Sequence, residues 1–193
     1  VIENALDQQT LDIARAIKNG FVKDHEIWRE IRIVYGSGTR THDADFRQAA
    51  AGIFAAMQAD PRLSLHIVGD LALPACFAAM GERVRQHAGR DYAAYMAMLA
   101  QADITIAPLE ATLFNDAKSA IKFLEAAVLG VPAVCSRRDA LVRVVQPGRN
   151  GLLAETAEDW RVALLKLAGS ARLRRKLGQQ ARYDALALYG PEG

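Results

Sequence analysis

Residues 115–136 read NDAKSAIKFLEAAVLGVPAVCS, and the pattern changes twice within that stretch. From Ser119 to Leu129 apolar residues recur at helical spacing. Gly130 then supplies a helix stop, and Val131 to Cys135 is a short apolar strand. Just upstream, Ile104-Thr105-Ile106-Ala107 is another apolar strand, stopped by Pro108. A strand, a helix and a second strand in this order make a βαβ unit, whose helix carries the chain back so that the strands lie parallel. One acidic residue, Glu125, sits inside the otherwise apolar helix. A carboxylate there is costly unless something hydrogen-bonds to it. It is therefore a candidate for binding a ligand's hydroxyls, and the alternative is a salt bridge to a lysine such as Lys122.

The same alternation extends in both directions. Strand-like runs fall at 31–35, 63–68, 83–85 and 151–154, and helical spacing at 11–17, 45–57, 92–101, 140–145, 157–167 and 171–189. Residues 71–80 also read as helical, with Pro74 marking an irregular start or a first-turn proline. Short strands, nearly all of them apolar, imply helices on both faces of the sheet. The expected fold is α/β, a Rossmann-like doubly wound parallel sheet. Such folds gather ligands at the carboxyl ends of their strands, here the loops after Tyr35, Val68, Ala107 and Cys135. No repeat or low-complexity linker divides residues 1–193, which read as one domain.

Composition narrows the function classes. A hydrophobic fraction of 51% and a charged fraction of 24% fit a soluble globular chain. A formal net charge of +2 argues against a nucleic-acid partner and leaves room for a small anionic ligand. Cys76 and Cys135, both expected in apolar surroundings, make neither a disulfide framework nor a metal-ligand spacing, which fits a reducing, cytoplasmic setting. His25, His66 and His87 form no metal constellation, so no metal is expected. No apolar run approaches the roughly 20 residues of a membrane span. Arg161, Lys166, Arg172, Arg174, Arg175, Lys176 and Arg182 read as a solvated helix face, with contact to a membrane surface or a partner domain as the minority reading.

Two segments could hold an anion. Gly36-Ser37-Gly38-Thr39-Arg40-Thr41-His42 lies between a strand and a helix. Its glycines admit a phosphate, its amides and hydroxyls donate, and Arg40 adds charge. A plain βα turn is the equal alternative, because this is not a full GxGxxG fingerprint. The second segment is Lys118-Ser119 at the start of the Glu125 helix. A lysine opposes the helix dipole there, so its presence asks for a reason, which an anion would supply; an exposed first-turn lysine is the alternative. Lys122, one turn later, reads as solvated. Glu125 lies seven residues after Lys118, a spacing that would set an ammonium near a phosphate and a carboxylate near the ribose of one nucleotide. His42 invites a catalytic role but reads as a hydrogen-bonded structural residue.

These residues together resemble the C-terminal, nucleotide-sugar-binding domain of GT-B fold glycosyltransferases of the group 1, family 4 type. Ile33 to Arg40 is similar to that family's first strand and phosphate loop, and Leu65-His66-Ile67-Val68-Gly69 to its second strand. Ala102 to Leu109 resembles the element in which an Ala-Asp pair opens a strand that a proline ends. Leu124-Glu125-Ala126 through Gly130-Val131-Pro132-Ala133-Val134 resembles the donor-binding motif, and Gly148 to Leu153 its G-x-N-G-L-L turn. The resemblance implies transfer of a sugar from a nucleotide diphosphate sugar to a glycan or lipid-linked acceptor, with retention and without metal or other cofactor. It implies catalytic roles for Arg40 and Lys118, and donor binding by Gly36, Ser37, Gly38, Thr39, Ser119 and Glu125. The family's first acid would fall on Ala117, which carries no carboxylate. Residues 1–10 resemble the segment between two domains, and a start at Val1 reads as a fragment. The implied partners are then the nucleotide sugar and an N-terminal acceptor-binding domain of the same protein. The parent protein could contact the inner face of the membrane. Two rivals remain open: a non-catalytic nucleotide-sugar-binding module, and a sugar-nucleotide epimerase of the same architecture.

Overall fold

The computed structural model describes residues 6–20, 30–38, 42–89, 91–112 and 120–190. Each strand-like run becomes a strand: β1 (Ile31–Gly38), β2 (Leu63–Gly69), β3 (Val84–His87), β4 (Ile104–Ala107), β5 (Ala133–Ser136) and β6 (Leu152–Ala154). They form one sheet in the order β3-β2-β1-β4-β5-β6, with every pairing parallel. The helices are α1 (Gln8–Gly20), α2 (Asp43–Ala59), α3 (Tyr92–Ala100), α4 (Ile121–Leu129), α5 (Asp139–Val144), α6 (Ala157–Ala168) and α7 (Ala171–Leu188).

Both faces of the sheet are covered, as the unbroken apolar strands require. Ile33 and Tyr35 of β1, with Leu65, Ile67, Ile104 and Ile106, pack under α2 and α6. Val34, Val68, Ala107 and Cys135 point the other way, under α1, α3, α4 and α5. The chain winds outward from β1 in one direction and from β4 in the other. Their carboxyl ends therefore diverge into a crevice, the point where such folds bind ligands.

Local chemistry explains the element ends. Asp7 caps α1, its Oδ1 accepting from the Thr10 amide at 2.7 Å, which starts this helix earlier than its apolar spacing predicts. Residues 71–74 are not helical. A 3-10 helix begins only after Pro74, at Ala75–Arg83, and breaks at Gly81 with φ 53° and ψ −132°. The residue before a proline is pushed out of the helical region, which keeps the chain extended until then. Cys76 is exposed, not apolar in setting, whereas Cys135 is buried and its thiol pKa is pushed up by that burial. Gly130 ends α4 in the left-handed conformation, φ 74° and ψ 24°, as its place after Leu129 predicts.

The basic run is only partly a solvated face. Arg174 Nη1 donates to the carbonyls of Leu167 (2.7 Å) and Ala168 (3.1 Å) at the end of α6. Arg182 donates to the Val128 carbonyl at the end of α4. Both place a cation at the negative end of a helix dipole. Among the described residues no helix is long and apolar enough to cross a membrane.

The α4 terminus and α7 touch backbone to backbone. A Cβ at Gly178 would lie 2.0 Å from the Gly130 carbonyl oxygen. Gly178→Ala must force the two apart and is expected to destabilise the chain by about 1–3 kcal/mol, read from denaturant unfolding. An unchanged midpoint would show that this helix pair slides freely.

Candidate functional site

Among the described residues, three segments meet at the crevice between β1 and β4. Strand β1 ends there at Gly36-Ser37-Gly38, its register with β2 shifting between Gly36 and Gly38. Helix α3 starts beside it, capped by Asp91, whose side chain accepts from the Ala94 amide at 2.8 Å. Helix α4 completes it with Glu125. Tyr92 and Tyr95, three residues apart on α3, share a face, their ring centroids 6.3 Å apart.

Glu125 is the centre of a hydrogen-bonded group. Its Oε2 accepts from the Tyr95 hydroxyl at 3.2 Å. Tyr92 lies beside the same carboxylate, and its hydroxyl also meets Thr10 Oγ1 of α1 at 3.0 Å. Glu125 is 8% exposed, and burial raises its pKa. Bonds from Tyr92 and Tyr95 and the charge of Lys122 act against that rise without cancelling it. The salt bridge considered from sequence is thus a weaker influence than the two phenols. Burial and the Glu125 charge hold the Tyr95 hydroxyl well above the ordinary tyrosine range, so it stays a donor.

Tyr95 explains one of the glycines. A Cβ at Gly36 would lie 2.8 Å from both Cε2 and the hydroxyl oxygen of Tyr95. The space a side chain would take is filled by that ring. Ser37 is fully buried, and its hydroxyl donates to the Asp70 carbonyl at 2.6 Å, tying the end of β1 to the end of β2. Gly36, Ser37, Gly38 and Glu125 therefore gather at one end of the sheet. Thr39, Arg40, Lys118 and Ser119 lie outside the described residues, as does Ala117.

Lys122 is not the solvated side chain its spacing predicts. Its Nζ is buried and lies 4.9 Å from the centroid of the Tyr35 ring. A flat aromatic face under the start of α4 offers the ammonium a cation–π contact where water does not reach. The buried Tyr35 hydroxyl has no hydrogen-bond partner among the described residues. His42 is hydrogen-bonded as its sequence position predicts. Its Nδ1 lies 3.0 Å from Oδ2 of the buried Asp45, whose Oδ1 accepts from the Glu110 amide at 2.9 Å.

Tyr92, Tyr95 and Thr10 escaped the sequence reading. A signal existed, because YAAYMAMLA places two phenols on one face of an otherwise apolar helix, and buried phenols need partners. His66 and His87 are also brought together, on the adjacent strands β2 and β3, with stacked rings 5.4 Å apart and Nδ1 to Nε2 at 3.2 Å. Among the described residues no group of three or more histidine, cysteine or acidic side chains could hold a metal ion.

The family model of the group 1 glycosyl transferases matches residues 36–170, from the crevice glycine through the whole of α6. The chain belongs to the group 1 glycosyl transferases. No curated protein sequence matches it. Solved structures of glycosyl transferases share the fold. The C-terminal domain of a group 1 family protein, LpcC from Francisella tularensis, is 14% identical with a TM-score of 0.67, over 99% of this chain and 97% of that one. Anabaena HepE, solved with UDP and glucose, is 14% identical with a TM-score of 0.69, over 96% and 49%. Sucrose-phosphate synthase from Thermosynechococcus elongatus is 21% identical with a TM-score of 0.66, over 98% and 48%. The chain thus spans about half the length of HepE and of the sucrose-phosphate synthase, and nearly all of the LpcC domain.

Proposed function

We propose that this chain is the donor-binding half of an enzyme that transfers a glycosyl group from a nucleoside diphosphate sugar to an acceptor, with retention and without a metal. The observation that carries the reading is Glu125, a buried carboxylate at the crevice between β1 and β4 in a chain of this family. A carboxylate has about four acceptor positions. The two tyrosines leave room for a pair of ribose hydroxyls. As the bond from the anomeric carbon to the diphosphate breaks, charge develops on the leaving oxygen, the acceptor oxygen bonds to the carbon, and the acceptor's hydroxyl proton passes to the leaving diphosphate. Arg40, Lys118 and the amides around Ser119 are the groups we assign to that charge. The first half of the positioning comes from a preceding acceptor-binding domain, so the chain alone transfers nothing.

Titration calorimetry with UDP, GDP, ADP and CDP, each with and without chelator, tests the donor side. Binding of at least one, unchanged by chelator, is expected. Loss of binding on chelation would overturn metal independence. Efficient transfer to a glycan or lipid-linked acceptor by this chain alone would place the acceptor site within these residues, and His42 would become the first residue to mutate. Interconversion of a nucleotide sugar without any acceptor would favour an epimerase instead.

A further inference from the structure

We propose that Tyr95 is a positioning residue, holding the Glu125 carboxylate at the angle and depth from which it meets a nucleotide's ribose hydroxyls. The inference rests on the nucleotide reading above. Tyr95 is engaged at two places. Its ring stands where a Cβ of Gly36 would be, within 2.8 Å of that position, and its hydroxyl donates to Glu125 Oε2 at 3.2 Å. One side chain therefore spans the crevice, packing on the end of β1 and fixing a carboxylate on α4. A glutamate has three side-chain torsions, and without the phenol it would have to be ordered by the ligand itself, with the entropy loss that this entails. The Tyr95 bond also supports the ionised form of a carboxylate that burial drives toward the neutral one. Only the ionised form presents acceptors on every lone pair to two hydroxyl donors. Thr10 of α1 and Tyr92 of α3, hydroxyl to hydroxyl at 3.0 Å, brace the arrangement.

Tyr95→Phe keeps the ring on Gly36 and removes only the hydroxyl. The test compares it with the unsubstituted chain by calorimetry, using UDP, GDP, ADP and CDP and their 2′,3′-dideoxy forms, from pH 4 to 8. The unsubstituted chain is expected to prefer the ribose form and to lose that preference as pH falls through the Glu125 pKa. In Tyr95→Phe the ribose form is expected to bind about tenfold more weakly. The dideoxy form is expected to be unaffected, and the acid loss of preference to move to higher pH. Gly36→Ala, which pushes the ring aside with its hydroxyl intact, is expected to weaken the same ribose-specific part of binding. If the unsubstituted chain binds none of the four nucleotides, or binds both forms equally, the nucleotide reading itself fails. If it prefers ribose and Tyr95→Phe keeps both the preference and its pH midpoint, the positioning role alone is overturned. Equal weakening of both forms in Tyr95→Phe also overturns it and would make Tyr95 part of the general packing.

Discussion

Glu125→Ala is expected to weaken nucleoside diphosphate binding by about 2–4 kcal/mol, or about 30- to 900-fold, because it deletes charge-assisted hydrogen bonds to two hydroxyls at once. Its effect on the fold differs from what the sequence alone implies. Removal of an unpartnered buried carboxylate should leave stability similar or better. Glu125 has partners, and alanine would leave the Tyr95 hydroxyl buried without its acceptor. A loss of about 1–3 kcal/mol of stability is expected to accompany the loss of affinity. Glu125→Gln keeps an acceptor for Tyr95 and separates the two effects. The folded-state pKa of Glu125 is raised, so the folded chain holds that proton more tightly than the unfolded one. The stability contributed by the proton is fully present below the unfolded value of about 4.3 and is lost as pH rises through the folded value. Glu125→Gln should therefore gain on the unsubstituted chain as pH rises from 4 to 8, while its nucleotide binding stays weak. Denaturant unfolding across that range, alongside calorimetry, checks both. A Glu125→Ala chain with unchanged affinity and lowered stability would make Glu125 purely structural.

Trp160→Ala should cost about 3–5 kcal/mol, the largest single loss of stability expected in this chain. Trp160 is 0% exposed and lies on α6 where that helix meets α2. The two helices approach so closely at Gly52 that a Cβ there would lie 2.3 Å from the Ala157 carbonyl oxygen and 2.5 Å from Trp160 Cβ. Backbones held this near each other cannot close over the void an indole leaves, so the cavity persists. The start of α6 is pinned as well. Thr156 Oγ1 accepts from the Asp159 amide at 3.1 Å and Asp159 Oδ2 from the Thr156 amide at 2.9 Å, a reciprocal cap. A domain of this size has about 5–15 kcal/mol in hand, so the substitution should bring it close to unfolding at 37 °C. The site lies across the sheet from the Glu125 helix, so nucleotide affinity of the remaining folded chain should be unchanged. A denaturant midpoint shifted by less than 1 kcal/mol would mean that α2 and α6 repack.

Much of this was legible in the residues alone, where the cause is local. Four-residue β4 and the Gly130 stop stand where their apolar run and their glycine put them, because a strand's burial and a left-handed cap are decided by neighbours in sequence. The parallel sheet followed from alternation, and Glu125 stood out because its helix is otherwise apolar. What Glu125 touches was not legible. Tyr95 donates to it across thirty residues of sequence, from a helix whose spacing marks an apolar face but not its opposite number. Gly36 read as a glycine of a phosphate loop, and that the Tyr95 ring occupies the place of a side chain there was not legible. Lys122 read as solvated until Tyr35 lay beneath it. Each of these contacts joins segments far apart in sequence. Periodicity records which face of an element is buried, whereas the order of strands, and so the identity of the side chain on the other side, is settled only by how the whole sheet packs.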